Sequence, residues 1–133
     1  MTFELYDNHA PNSTHTWAGY LSGPKSIVGT SMSKALPGYG VHGGALAGTD
    51  RAPDEDLTLR HHKRGLLSLV NNGDNSNGSE FLVTFCEAPY LNGYNQVIGE
   101  LVGGDDVLGQ IEADSNRCGA LGSSWTISGA GHA

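Results

Sequence analysis

Cysteine is scarce in this chain, and so are basic residues. Only two cysteines, Cys86 and Cys118, occur among 133 residues, and no Cys-x-x-Cys pair is present. This excludes a disulfide framework and the common cysteine zinc motifs. Lys and Arg together number 7 against 14 acidic residues, for a formal net charge of -7. Because phosphate binding requires clustered Lys and Arg, we expect no nucleic-acid partner.

Long apolar segments are also missing. No run approaches the roughly 18–20 apolar residues that a membrane-spanning helix requires, so we expect no membrane span. Residues 1–9, MTFELYDNH, lack the basic and then apolar segments of a signal peptide. The expectation from sequence is therefore a protein inside the cell, in the cytosol or an organelle.

Glycine, in contrast, is abundant, with 20 of 133 residues. Glycine without a fixed period favours many tight turns between short strands. Apolar patterning predicts strands at 1–6, 26–34, 66–70, 80–85, 96–101 and 124–128. It also predicts a helix over residues 12–22 and a short helix capped by Asp105. We therefore expect one mainly β domain over residues 1–133, a barrel or sandwich with two covering helices.

One loop carries more polar residues than a turn requires. Residues 71–81, NNGDNSNGSEF, lie between the apolar runs LLSLV and FLVTF. A hairpin needs only two turn residues, such as Asn-Gly or Asp-Gly. The excess of Asn, Ser and Gly indicates either a loop with a further role or an ordinary polar connection.

The same stretch carries a family resemblance. GLLSLVNNGDNSNGSEFLVTF (65–85) is similar to the GLLSMAN-x-G-x-N-T-N-G-SQFFIT segment of the cyclophilin family of peptidyl-prolyl isomerases. Three further stretches resemble that family: TFELYDNHAPNST (2–14), SKALPGYGVHGG (33–44) and PYLNGYNQVIGELVGGDDVLGQIE (89–112). The resemblance implies a closed or nearly closed antiparallel β-barrel with two covering helices. It also implies that residues 71–81 line a groove for proline-containing peptides, with no cofactor.

Several positions that match the family's site carry different residues here. The resemblance places Lys34 where the family has its catalytic Arg, and His42 where it has a Gln, so Lys34 and His42 are the candidate catalytic residues. Gly40 and Glu80 stand where the family has Met and Gln. The candidate substrate-binding residues are Tyr39, Val70, Asn71, Leu82, Tyr90, Leu91 and Asn95. With Lys for Arg and fewer aromatic groups, we expect weak or lost isomerase activity and weak cyclosporin binding.

The first strand of the family has no counterpart in this sequence, so we expect an open sheet edge near residues 2–6. An open strand edge can pair with a strand from another protein. Three hypotheses follow: a cyclophilin-like peptide-binding domain with a degraded catalytic set, a structural or accessory subunit of a larger assembly, and a working isomerase with altered specificity.

The cluster RHHKR (60–64) is the main basic feature, and we interpret it as a solvated turn. His61 and His62 are adjacent, so on an extended chain their side chains point apart. We therefore predict no metal site.

Overall fold

The polypeptide forms short strands and two α-helices. The structure is a computed structural model that describes residues 1–22, 24–46, 52–71, 73 and 75–131. The strands are β1 (Thr2–Leu5), β2 (Lys34–Leu36), β3 (Gly40–Gly43), β4 (Leu66–Leu69), β5 (Phe81–Thr84) and β6 (Val97–Gly103). The helices are α1 (Pro11–Ala18) and α2 (Asp105–Asp114), with short 3-10 turns at Gly19–Leu21 and Pro89–Leu91. The strands form one antiparallel sheet in the order β1-β6-β4-β5-β3-β2.

The predicted mainly β architecture with two helices is confirmed. Three local predictions were wrong. The strand predicted over 26–34 is absent, because the chain turns at Gly29 (φ 91°) and only Ser31 forms an isolated bridge, to Thr126, while Lys34 begins β2. The strand predicted over 124–128 is absent as well, since Thr126 has only that bridge. The N-cap of α2 is Gly104 (φ 86°), so Asp105 lies inside the first turn, where its carboxylate accepts a hydrogen bond from Arg64.

One face of the sheet carries the hydrophobic core. Alternation along β5 directs Phe81 and Val83 to this face and Leu82 to the opposite one. The core also takes side chains from α1 and α2, so both helices cover the same face. Its buried members are Trp17, Ile27, Ala35, Val41, Leu67, Leu69, Phe81, Val83, Phe85, Ile98, Leu108 and Ile111.

Hydrogen bonds do not join the two edges of the sheet in the described residues. Next to β2, residues 125–127 bond to residues 29–32: Met32 N–H donates to the Trp125 carbonyl (2.8 Å) and Ile127 N–H to the Thr30 carbonyl (2.9 Å). An apolar groove of about 610 Å³ separates this segment from β1. We call it the edge groove; its lining includes Phe3, Leu5, Trp17, Met32, Ile111 and Trp125. The barrel is therefore nearly closed.

None of the described helices is both long and apolar enough to cross a membrane.

Candidate functional site

A row of four paired residues crosses the sheet on the face opposite the core. Lys34 on β2 pairs with His42 on β3, His42 pairs with Leu82 on β5, and Leu82 pairs with Ser68 on β4. Side chains of directly paired residues project from the same face of a sheet. We call Lys34, His42, Leu82 and Ser68 the cross-strand row. It runs from solvent at Lys34 to full burial at Leu82 and Ser68.

Lys34 is at the solvent end of this row. Its aliphatic stem lies against Gly119, where a Cβ would be 3.4 Å from both Lys34 Cγ and Cε. The Ala35 N–H donates to the Gly119 carbonyl (3.1 Å), which holds that turn beside β2. No ion pair or hydrogen bond joins the Lys34 ammonium to another described residue, so it can donate to a ligand.

Three rings form a continuous aromatic wall beside the row. Tyr39 stacks on Tyr90 with ring centroids 6.0 Å apart and planes at 19°, and lies 5.6 Å from the His42 ring. The Tyr39 hydroxyl and His42 Nε2 are hydrogen-bonded at 2.8 Å. Tyr90 remains 56% exposed, so this wall offers an aromatic surface to a ligand. Apolar rings of this kind are suited to hold a proline ring.

Gly40 does not leave a hole in the site. A Cβ placed on Gly40 would lie 2.5 Å from the Val83 carbonyl oxygen and 2.7 Å from Leu82 Cδ1. Strand β5 and the Leu82 side chain therefore occupy the space that a side chain at position 40 would need. The resemblance alone indicated only a lost side chain there.

A buried histidine holds the segment that carries Tyr90. His61 is fully buried, and its backbone N–H donates to Asn92 Oδ1 (2.7 Å). His61 Nδ1 lies 3.0 Å from the same oxygen, which only accepts, so Nδ1 carries the hydrogen. On the other side of the ring, Nε2 and the Ser68 hydroxyl are 2.8 Å apart. Burial lowers the pKa of His61, an effect that the Asn92 hydrogen bond opposes.

The remaining predicted binding residues lie at the end of β4 and in the 91–95 segment. Asn71 Nδ2 donates to the Tyr94 carbonyl (2.8 Å), and Asn95 Nδ2 donates to the Leu69 carbonyl (3.1 Å). Both amides therefore hold the 91–95 segment against the end of β4. Their NH2 groups are then partly occupied and less available to a bound peptide. Leu91 and Val70 are both half-buried, and the Val70 N–H donates to the Glu80 carbonyl (3.0 Å).

Part of the polar loop between β4 and β5 has a structural explanation. Asn77 is buried, and it exchanges backbone hydrogen bonds with Ala52 (2.8 and 3.1 Å). Its Nδ2 also donates to Asp54 Oδ1 (2.8 Å). The loop thus binds residues 52–54 through both backbone and side-chain hydrogen bonds. Asn72 and Asp74 lie outside the described residues.

The basic cluster at 60–64 is mostly used inside the fold. Arg64 donates to Asp105 Oδ1 (3.0 Å) and Glu112 Oε1 (2.7 Å) on α2, and Lys63 pairs with Glu100. His61 is buried, as described above. Only part of this cluster is a solvated turn, and Lys63 and Arg64 have carboxylate partners.

Comparison with known proteins places the chain in a family. Residues 1–127 match the family described as "Cyclophilin type peptidyl-prolyl cis-trans isomerase/CLD". The chain therefore belongs to the cyclophilin-type family. It is 32% identical over 133 residues to proteins named peptidyl-prolyl cis-trans isomerase-like 2 from two strains of Cryptococcus neoformans var. neoformans serotype D. It is 33% identical over 128 residues to a protein of the same name from Rhizopus delemar.

The alignments cover 85–90% of this chain but only 23% of each curated relative. The chain thus spans about a quarter of the length of the relatives it matches. Their names describe those longer proteins.

Sequence reasoning left two polar groups out of the candidate site. Glu80 has its carboxylate 3.5 Å from His42 Nδ1. His61 supports the Tyr90 segment through Asn92. The His42–Glu80 contact depends on the register between β3 and the start of β5, which no local pattern reveals. His61 lies inside the basic stretch RHHKR, so no local pattern signalled its burial.

Proposed function

We propose that this chain binds proline-containing peptide segments along the cross-strand row and isomerises them weakly. The observation that supports this most is the row itself, with a Lys34 ammonium that has no partner among the described residues and the Tyr39–Tyr90 stack beside the row. A proline ring would pack on the aromatic wall and Leu82, while Lys34 would face the imide nitrogen. Tyr39, Leu82, Tyr90 and Leu91 would line the pocket, with His42 and Asn71 beside the peptide backbone.

The chemistry requires a donor that acts in the transition state. Rotation about the peptide bond faces a barrier of about 18–20 kcal/mol, because the C–N bond has partial double-bond character. In the twisted state the prolyl nitrogen becomes pyramidal and gains a lone pair. A donor directed at this lone pair stabilises the transition state more than the ground state, and so raises the rate. The Lys34 ammonium has the charge and exposure for this role.

We expect catalysis to be weak for two reasons. A Lys ammonium lacks the planar fork of Arg, which can hold the nitrogen and a neighbouring carbonyl together. In addition, the hydroxyl of Tyr39 is already hydrogen-bonded to His42, so it is not free to bind the peptide in this arrangement.

Exchange NMR on an Ala-Pro peptide tests this function. With the folded chain added at a concentration near that of the peptide, we expect cis–trans exchange to be faster than the uncatalysed rate, which takes tens to hundreds of seconds. A folded chain that neither accelerates exchange nor shifts the peptide resonances would contradict the proposal. The chain's own spectrum reports folding in the same sample.

The edge groove favours a second candidate, that of an accessory subunit. Among the described residues β1 pairs only with β6, so its other edge faces the groove, and residues 125–127 border the opposite side. The groove's volume of about 610 Å³ corresponds to a few side chains. We propose that its occupant is an extended strand of a protein partner with alternating apolar residues, which would pair with β1 and bury its apolar side chains against Trp17 and Trp125.

A synthetic peptide of alternating Val and Thr tests this candidate. We expect it to shift the indole resonance of Trp125 and protect β1 amides from hydrogen exchange, whereas the same peptide with a central Pro would not. Concentration-dependent dimerisation through β1 would instead identify a second copy as the occupant. Unchanged Trp125 and β1 signals would contradict strand docking.

A further inference from the structure

Glu80, His42 and Tyr39 form a chain of three polar side chains at the edge of the candidate site. Glu80 Oε1 lies 3.5 Å from His42 Nδ1, within ion-pair distance, and His42 Nε2 lies 2.8 Å from the Tyr39 hydroxyl. The His42 side chain is 14% exposed and that of Glu80 is 33% exposed. Each nitrogen of the His42 ring therefore has a polar protein partner.

The chemistry of these groups fixes where the hydrogens lie. An ionised carboxylate only accepts hydrogen bonds, so Glu80 favours the tautomer of His42 that carries its hydrogen on Nδ1. In that neutral tautomer Nε2 only accepts, so the Tyr39 hydroxyl must donate to it. The Tyr39 hydrogen is then used inside the protein. A peptide carbonyl beside Tyr39 would find no donor there.

A proton added to His42 reverses the second hydrogen bond. Both ring nitrogens then carry hydrogens, and Nε2 donates to the Tyr39 oxygen. The Tyr39 hydroxyl hydrogen is released and can donate to a bound carbonyl. The contact with Glu80 becomes an ion pair in the same step, which strengthens it.

We propose that Glu80 is a positioning residue that acts through His42 to set the direction in which the Tyr39 hydroxyl donates. The relay determines whether the site offers that hydroxyl to a peptide carbonyl. This inference rests on the proposed peptide-binding function. It adds a specific consequence, that peptide binding strengthens when His42 gains a proton.

The charged and titratable groups around His42 come from three other parts of the chain. Lys34 faces it from β2, Glu80 from the residue before β5, and Tyr39 from the turn before β3, with Tyr90 stacked behind Tyr39. Burial lowers the pKa of His42, Glu80 opposes this and Lys34 adds to it, so the net direction is downward. Burial, Tyr90 and Glu80 raise the pKa of Tyr39, which keeps its hydroxyl protonated. The ring is therefore neutral at pH 7.5, and a lower pH is needed to release the Tyr39 hydrogen.

Nitrogen-15 NMR of the histidine rings, with titration of an Ala-Pro peptide at pH 7.5 and at the lower pH where the ring shifts show His42 protonated, tests the relay. In the unmodified chain we expect the Nδ1–H tautomer of His42 at pH 7.5. We expect affinity for the peptide to be roughly 3- to 10-fold higher once His42 is protonated, the contribution of about one hydrogen bond.

Two variants separate the steps of the relay. In Glu80→Leu no acceptor faces Nδ1, so the hydrogen can move to Nε2, and affinity at pH 7.5 should rise toward the value for the protonated ring. In Tyr39→Phe the tautomer should persist while the pH dependence of binding disappears. Asp106→Asn, which removes an exposed carboxylate on α2, is the charge control and should change neither signal.

The possible failures can be told apart. An Nε2–H tautomer in the unmodified chain, or a tautomer and pH profile unchanged in Glu80→Leu, would overturn the relay. Binding that does not strengthen once the ring shifts show His42 protonated would overturn the role of Tyr39 but leave the peptide site. No binding at either pH would overturn the proposed peptide site and this inference with it.

Discussion

Asp54 and Asn75 hold each other's backbone. The Asp54 N–H donates to Asn75 Oδ1 (2.8 Å), and the Asn75 N–H donates to Asp54 Oδ2 (3.0 Å). Asn75 has a left-handed φ of 55°, which Asn tolerates better than most residues. The other carboxylate oxygen of Asp54 accepts from Asn77. One carboxylate therefore fixes the course of the polar loop that leads into β5 and Glu80.

Asp54→Asn should destabilise the protein. An amide presents only one accepting oxygen, so either Asn75 N–H or Asn77 Nδ2 loses its partner. We expect the free energy of unfolding in urea to fall by about 1–3 kcal/mol. Asp7→Asn, in an exposed turn, is the matched control and should stay within about 0.5 kcal/mol of the parent. Equal stabilities for the two variants would contradict the structural role of Asp54.

His61 should make stability depend on pH. Because burial lowers its pKa in the folded state, the fold favours the neutral ring. This contribution is complete above the ordinary pKa near 6.5 and is lost as the pH falls below it. We expect lower stability in urea at pH 5.5 than at pH 7.5. His61→Gln should be about 1–3 kcal/mol less stable than the parent at pH 7.5. Its free energy of unfolding should fall less than that of the parent when the pH is lowered to 5.5.

His42 titrates over the same pH range, since its pKa is also lowered. The comparison is therefore made between two proteins that both carry His42→Gln, one with His61 and one with His61→Gln. An identical pH dependence for the two proteins would show that His61 is not the group responsible.

Gly40→Ala should be destabilising and should not improve peptide binding. The added Cβ would meet the Val83 carbonyl at 2.5 Å, and backbone of a central strand cannot easily move away. We expect a loss of about 1–3 kcal/mol from overpacking. Gly19→Ala is the control, because Gly19 has helical φ and ψ and no neighbour within 4 Å of a Cβ. Gly19→Ala should be neutral or slightly stabilising. If Gly40→Ala were also neutral, that would contradict the close approach of β5 to Gly40.

Lys34 should govern any isomerase activity. Lys34→Ala removes the only cation of the cross-strand row and should reduce the acceleration of an Ala-Pro peptide by roughly 10- to 100-fold. Lys34→Arg restores a planar multi-donor group and should exceed the parent. Lys25→Ala, outside the row, should leave the rate unchanged. If Lys34→Ala is as active as the parent, Lys34 is not the donor.

Much of the fold could be predicted because its signals are local or carried by long motifs. FLV at the start of β5 is apolar at consecutive positions, since core side chains cover one face and the row lies on the other. The family motifs also predicted that Lys34, His42 and Leu82 lie close together, and the register of the sheet pairs them. The prediction for 26–34 was wrong because its apolar residues are buried from a turn around Gly29. An apolar pattern in the sequence does not tell a buried strand from a buried loop.

The site's internal connections could not be predicted in the same way. Glu80 meets His42, and His61 meets Asn92, only after strands and loops distant in sequence have folded together. Such contacts depend on register and loop course, which composition and periodicity do not specify. For the same reason, sequence assigned Asn71 and Asn95 to the peptide without revealing that their amides bind the backbone.

Mapping an Ala-Pro peptide onto the nitrogen-15 spectrum of the folded chain tests the central claim most directly. We expect resonance shifts that saturate with peptide and cluster at Lys34, Tyr39, His42, Leu82 and Tyr90. Shifts confined to β1 and residues 125–131, or no shifts in a folded sample, would contradict a proline-peptide site on the cross-strand row.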